Sequence, residues 1–396
     1  MNSEQSEKKF CQRKKDNMKN LYIIFDQIPP LDSGGLVITY INMVKYLKES
    51  YNIKIVSVFK SRELDEQIFS NAELISLSNF QLDNRFYRIF QYMKSGKIGK
   101  SIKALFSAFY FFAYIRIAKH KLAKRIRDND FVISVSPTAS AFIPSSIEFI
   151  QDIHTNYEYF WGNKLLGKMQ SKLMSKPKLT VFRNKRDADK GAKHFPSTYL
   201  YNFVDEINYN FKDFELNTRR NHFLYMGRLH PQKNPLRLLK CAKILKDRGY
   251  TFTLDIYGTG MLKEELEQEI INMDLSKNVF LRGYTTDKNI YNKYSMLWLT
   301  SELEGLGLCI LEAKANATPT ISVNWGGAIK EVIEDQQDGF IANDDHEFVN
   351  YVINLLEDDK LLKKMSKNAY DNYHKNFSNE ATKHRLIEII ETYKSK

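Results

Sequence analysis

Three times in its second half this chain runs from a short apolar stretch through a glycine-bearing turn into a helical pattern. Residues 223–226 lead into Gly227, residues 253–257 into Gly258-Thr259-Gly260, and residues 296–300 into the stretch around Gly305 and Gly307. The first half carries comparable apolar runs at 21–26, 53–59, 131–135, 147–153 and 179–182, each followed by a helical or loop segment. Strands alternating with helices imply parallel sheets covered on both faces, a doubly wound α/β plan. A chain of 396 residues exceeds one comfortable core, so two such domains are expected.

The turns carry the chemistry. Residues 304–312 read EGLGLCILE, with Glu304 and Glu312 separated by seven residues. Glycines there let the backbone approach a ligand, and the helix that follows offers unsatisfied N–H groups. Two carboxylates flanking such a turn suit hydroxyl-rich rings joined by an anionic bridge. Upstream, FLYMGRLHPQKN places Gly227, Arg228 and Lys233 at a strand end beside a helix start, a cationic pocket for phosphate. In the first half, Asp32-Ser33-Gly34-Gly35 opens a helical pattern, either a second phosphate-approach turn or a plain tight turn. The G-x-G at Gly258 is weak alone, because such turns are common.

The ordered set GRL…KN, strand-G-x-G, VFLRGY, E-x7-E, GG-x-x-x-EVI and DGF resembles glycosyltransferase family 4, densely over about 120 residues and diffusely over the first 200 or so. The resemblance implies the GT-B architecture, two Rossmann-like doubly wound domains facing across a cleft. It also implies a nucleotide-diphosphate sugar donor, UDP-linked most often, and transfer with retained anomeric configuration. Arg228 and Lys233 would stabilise the leaving diphosphate. Glu304 would hold the donor sugar with the amides around Leu306, Gly307 and Leu308, and Glu312 the ribose. Gly34, Gly35, Gly227, Gly258 and Arg282 would line the donor site. His154, in FIQDIHTN, would contact the sugar near the reacting carbon, although a lone histidine is commonly structural. For Glu312 the bland alternative is a carboxylate satisfying a helix start. Two departures fall on the acceptor side or the hinge: Asn202-Phe203-Val204-Asp205 replaces the usual Asn-Gly-Val-Asp, and VFRNKRD lacks the usual strand-end serine.

No metal or other cofactor is expected, since fixed cations and helix termini do the electrostatic work. Asp128-Asn129-Asp130 has a D-x-D spelling but directly precedes a strand, where a polar turn is expected. Cys11, Cys241 and Cys309 are scattered without metal-ligand spacing, which fits a reducing compartment.

The net charge of +12 is uneven. Residues 1–200 hold 33 Lys and Arg against 18 Asp and Glu, and residues 201–396 hold 26 against 29. Residues 85–127 contain twelve basic residues, no acid and interleaved aromatics, over an apolar run too short to span a bilayer. A segment lying on an anionic membrane fits that composition, as does an amphipathic helix with its aromatics in the core; nucleic acid is not an expected partner. Lys164, Lys168, Lys172 and Lys176, spaced by four, point the same way. Residues 1–20 are polar, with no apolar core of a signal peptide, and read as a mobile extension.

The expected organisation is thus a first domain over 21–215, a nucleotide-sugar domain over 216–375 and a helix over 376–396 returning to the first. The expected activity is a metal-independent transferase, cytoplasmic and peripheral at the inner membrane face, acting on a glycan or lipid-linked acceptor. Rival readings are a non-catalytic partner protein of the same fold, or a nucleotide-sugar epimerase.

Overall fold

The computed structural model describes residues 18–29, 35–61, 69, 71–81, 98–154, 157, 176–204 and 207–395. Two compact units emerge: one gathers residues up to Arg183, Asp187–Leu200 and Lys383–Lys396; the other gathers Asn184–Arg186 and Tyr201–Thr382. The crossing falls at Leu200–Tyr201, earlier than residue 215. Val204 already packs in the second unit's core, where its amide donates to Asn379 Oδ1 (3.0 Å) and its carbonyl accepts from Asn379 Nδ2 (2.8 Å). The terminal helix Asn379–Ser395 therefore starts in the second unit, and its residues from Lys383 onward belong to the first.

In the first unit, β1 (Asn20–Phe25), β2 (Asn52–Ser57), β3 (Glu73–Ser76), β4 (Phe131–Ser134), β5 (Ile150–Ile153), β6 (Leu179–Phe182) and β7 (Ser197–Tyr199) form one sheet. Its order is β3-β2-β1-β4-β5-β6-β7, with every pairing parallel. The central strands are the apolar runs visible in the sequence, because a parallel sheet buries both faces. The edges β3 and β7 have no such run: ELIS and STY are half-buried at best and give no hydrophobic signal.

The basic-aromatic segment divides. From residue 98 it forms the helix Ile98–Ala123, while residues 85–97 lie outside the described residues, as do Lys164, Lys168 and Lys172. Phe111, Tyr114, Ala118 and Leu122, spaced by three or four, pack in the core with Phe59 and Phe142. A second stripe is not core: Leu105, Phe106, Phe109 and Phe112 are exposed, Phe109 by 72%. No helix among the described residues is long and apolar enough to cross a membrane.

The second unit repeats the plan with β8 (His222–Met226), β9 (Thr253–Tyr257), β10 (Val279–Gly283), β11 (Met296–Leu299), β12 (Thr320–Val323) and β13 (Gly339–Ala342), ordered β10-β9-β8-β11-β12-β13 and all parallel. Alternate residues feed opposite cores. Phe223, Tyr225, Leu254, Ile256, Met296 and Trp298 pack on one face, and Leu224, Leu297, Leu299 and Ile341 on the other. Strand order reverses between β8 and β11, the switch point where ligands of open α/β sheets bind beyond the carboxyl ends of the strands.

Candidate functional site

The loops leaving β8 and β11 are joined directly. Glu302 N donates to Gln232 O (2.9 Å), Gln232 Nε2 to Leu303 O (3.0 Å), Asn234 Nδ2 to Glu302 Oε1 (2.6 Å) and Thr300 Oγ1 to Asn234 O (2.8 Å). Asn234 adopts a left-handed conformation (φ 43°) and caps the helix Pro235–Asp247 by accepting from Arg237 N, while Pro235 fixes its first turn. The Lys-Asn-Pro spelling is thus a turn-and-cap device, and it aims Lys233 at the loop from β11.

There Lys233 donates to Glu304, which also accepts from Ser301 Oγ (2.7 Å). The Glu304 side chain is 7% exposed and that of Lys233 17%. Arg228 lies on the same β8 loop, exposed and without an ion pair among the described residues. Glu312, buried on the helix Leu308–Ala315, accepts from Lys288 Nζ (2.6 Å) and Tyr291 Oη (2.5 Å). Glu312 is therefore held by two side chains, not merely placed against a helix end. Burial pushes the Cys309 thiol up to about 12, with Glu304, Lys233 and Glu312 all close enough to act on it. Cys309 is then a neutral thiol and no nucleophile.

Gly307 has φ 80° and precedes that helix with no side-chain cap, leaving the first-turn amides without a side-chain partner. Leu306 is buried and Leu308 packs at its core's margin, so they offer a ligand backbone rather than side chains. Gly258 answers a packing need. A Cβ there would sit 1.9 Å from Gly227 O, and Leu229 N donates to Thr259 O (2.9 Å), so the β9 turn supports the turn that carries Arg228. Arg282 is occupied at the sheet's edge, its Nε donating to Asp255 Oδ1 (2.8 Å); the structure does not bring it to Glu304 or Glu312. Gly35 opens the helix Gly35–Leu47, and Gly34 lies outside the described residues. Asp130 takes part in a turn, accepting from Arg127 N (2.8 Å) and Asn20 Nδ2 (2.8 Å). Among the described residues no group of three His, Cys, Asp or Glu side chains could hold a metal ion.

Against this geometry, residues 206–372 match the family Glycosyl transferases group 1. That match lies within the second unit. The chain is 34% identical across 179 residues to the Escherichia coli UDP-Gal:alpha-D-GlcNAc-diphosphoundecaprenol alpha-1,3-galactosyltransferase, covering 43% of this chain and 46% of that enzyme. A longer match, 24% identical over 356 residues, is to a Campylobacter jejuni undecaprenol-glycan alpha-1,4-N-acetyl-D-galactosaminyltransferase, covering 86% of this chain and 91% of that protein. The chain spans only 22% to 46% of the length of three curated relatives, the Escherichia coli enzyme among them. Among solved structures, Staphylococcus aureus TarM in complex with UDP superposes with a TM-score of 0.71 at 16% identity, over 94% of this chain and 100% of that one. At that identity the likeness establishes the fold, which is GT-B.

His154 belongs to the first unit, just past β5. Its Nε2 lies 2.8 Å from Arg183 Nη2, 3.2 Å from Asp152 Oδ2 and 3.3 Å from Tyr40 Oη. Tyr40 Oη donates to Asp152 Oδ2 (2.6 Å), and Arg183 pairs with the same oxygen. Burial raises the Asp152 carboxyl, yet Arg183, His154 and Tyr40 outweigh it and hold it down at about 2. Burial, then the Arg183 charge, pushes His154 below its ordinary value against the pull of Asp152. The sequence singled out only His154 from this cluster. Tyr40, Asp152 and Arg183 lie on three separate elements with no common spacing. Lys288 and Tyr291 were missed for the same reason, since residues 21 and 24 positions before Glu312, outside any shared motif, give no sign of being its partners.

Proposed function

We propose that this chain is a retaining, family 4-type glycosyltransferase that moves a sugar from a UDP-sugar to a lipid-linked or cell-envelope glycan acceptor. One observation carries this: Lys233 and buried Glu304 are held together at the switch point of a group 1 domain, with Arg228 on the same loop. The Lys233 ammonium has three N–H donors, so it can keep Glu304 while a second donor turns to a phosphate oxygen. Arg228 adds a fork of donors to the leaving diphosphate, and Glu304 accepts from sugar hydroxyls. Glu312 accepts from the ribose. In the reaction the bond from the anomeric carbon to the diphosphate oxygen breaks and the bond to the acceptor oxygen forms on the same face. The acceptor proton passes to the departing phosphate oxygen, so no protein base is required. Named relatives supply the substrate class: the Escherichia coli and Campylobacter jejuni enzymes act on diphosphoundecaprenol-linked glycans.

The same proposal places the protein at the inner membrane face. Exposed Leu105, Phe106, Phe109 and Phe112 on a helix that also bears Lys119 and Lys121 support contact with an anionic leaflet. Nucleic acid has no place in it.

Thermal-shift screening of nucleotide sugars, then transfer to undecaprenyl-diphosphate-linked glycans with and without EDTA, tests the chemistry. A UDP-sugar at about 100 times its dissociation constant adds about 2.7 kcal/mol to stability. No stabilisation by any nucleotide sugar, or activity that vanishes with EDTA and returns with magnesium or manganese, would overturn the corresponding part. Flotation with anionic vesicles tests the membrane: wild type floats at low salt, and Phe106→Ser with Phe109→Ser does not.

A further inference from the structure

The cluster beyond β5 contains a charge that the proposed reaction does not use. Arg183 is buried at the end of β6, in the segment that lacks the serine usual for the resembled family. Its guanidinium reaches Asp152 and His154 together, with Nη2 2.8 Å from the imidazole Nε2. A guanidinium has no lone pair to offer, so it can only donate to that nitrogen. An Nε2 that accepts carries no proton, and the ring proton must sit on Nδ1. We propose that Arg183 is a positioning residue that locks His154 as a neutral imidazole, presenting a fixed Nδ1–H donor to a ligand hydroxyl. This rests on the transferase assignment only for the identity of the ligand, a donor-sugar hydroxyl.

The surrounding groups fit. Among the described residues, Asp152 from β5 and Tyr40 from the helix Gly35–Leu47 are the other titratable groups facing the ring. Asp152 taken alone would draw a proton onto Nε2 and produce an imidazolium. Arg183 answers that carboxylate with its own charge, and the Tyr40 hydroxyl donates to the same oxygen. The His154 side chain remains 14% exposed, whereas those of Asp152 and Arg183 are each 4% exposed. Water or a ligand therefore reaches the ring more readily than the charges that set its state. A sugar hydroxyl has lone pairs and no charge, and a neutral donor of fixed direction suits it without attracting free anions.

The test reads His154 itself, in the whole protein. Proton-nitrogen spectra of the 15N-labelled imidazoles, compared with a His154→Gln spectrum for assignment, should show the Nδ1–H tautomer with no titration near the ordinary histidine value of about 6.5. In Arg183→Gln the amide can still donate to Nε2 but the charge is gone, so Asp152 raises the histidine pKa. With that rise, kcat/KM falls more steeply between pH 8 and pH 6 than in wild type. Arg183→Lys, which keeps the charge, restores the wild-type profile; a role in packing alone would lower activity equally at every pH. An Nε2–H tautomer or ordinary titration in the wild-type protein would overturn the inference, as would parallel pH profiles for wild type and Arg183→Gln. The tautomer measurement needs no substrate, so it stands even if no sugar transfer is found, a result that would count against the assigned reaction instead.

Discussion

Replacing Lys233 by methionine separates the two jobs of that side chain. Its ammonium is the countercharge of Glu304, whose side chain is 7% exposed and otherwise accepts from Ser301 Oγ. Removing one partner of a buried pair costs about 3 to 5 kcal/mol, because the remaining charge is uncompensated. Lys233 retains some contact with water at 17% exposure, and Ser301 still serves the carboxylate, so the lower end, about 3 kcal/mol, applies here. With a urea dependence of about 2 kcal/mol per molar, the midpoint of the second unit should fall by about 1.5 M. Tryptophan fluorescence can follow it, because Trp298 lies in that unit's core. Adding Glu304→Gln should recover most of the loss, since a neutral amide needs no countercharge, and the cycle should give a coupling of about 2 kcal/mol. Sugar transfer stays abolished throughout, so stability returns without activity. An unchanged midpoint in Lys233→Met, or no recovery in the double variant, would refute the buried pair.

Three further outcomes are expected. Gly258→Ala sets a Cβ 1.9 Å from Gly227 O, which should lower stability by about 3 kcal/mol and impair transfer through displacement of the Arg228 turn; Gly305→Ala, with nothing within 4 Å of its Cβ, should be neutral in the same urea melts. Glu312→Gln should weaken UDP and UDP-sugar alike by calorimetry, whereas Glu304→Gln should mainly weaken the intact donor; equal losses would reject that division of roles. Both His154 and Asp152 have folded values below their unfolded ones, so the unfolded chain binds the extra protons and first-unit stability rises with pH. The histidine contribution is complete above about 6.5 and wanes as pH falls from there, while the aspartate contribution persists above about 3.9 and is lost through about 2. Hydrogen exchange of β5 amides should therefore speed, at matched intrinsic rates, from pH 8 to 5; constant protection would contradict it.

Much of the second unit was legible because its site is built from local devices. Strand, glycine turn and helix follow one another within about fifteen residues, so Arg228, Lys233, Glu304 and Glu312 could be singled out from spacing and residue type. The apolar runs of the central strands were equally plain, since burial on both faces of a parallel sheet leaves no choice of side chain. Edge strands β3 and β7 lack that constraint and gave no signal. The resemblance nominated Gly258 and Arg282 for the donor site; the structure adds that a Cβ at Gly258 would meet Gly227 O and that Arg282 donates to Asp255.

The sequence by itself determined the doubly wound plan and singled out Arg228, Lys233, Glu304 and Glu312. It did so because backbone periodicity and turn chemistry act over a few neighbours. Only the tertiary structure decided which charges neutralise each other. Lys288 and Tyr291 reach Glu312, and Arg183 and Tyr40 reach Asp152, across 21 to 112 residues of chain. It also decided that Phe111 and Tyr114 enter the core while Phe106 and Phe109, on the same helix, face outward. Those pairings depend on which elements the sheet order makes neighbours, and sheet order is a property of the whole fold.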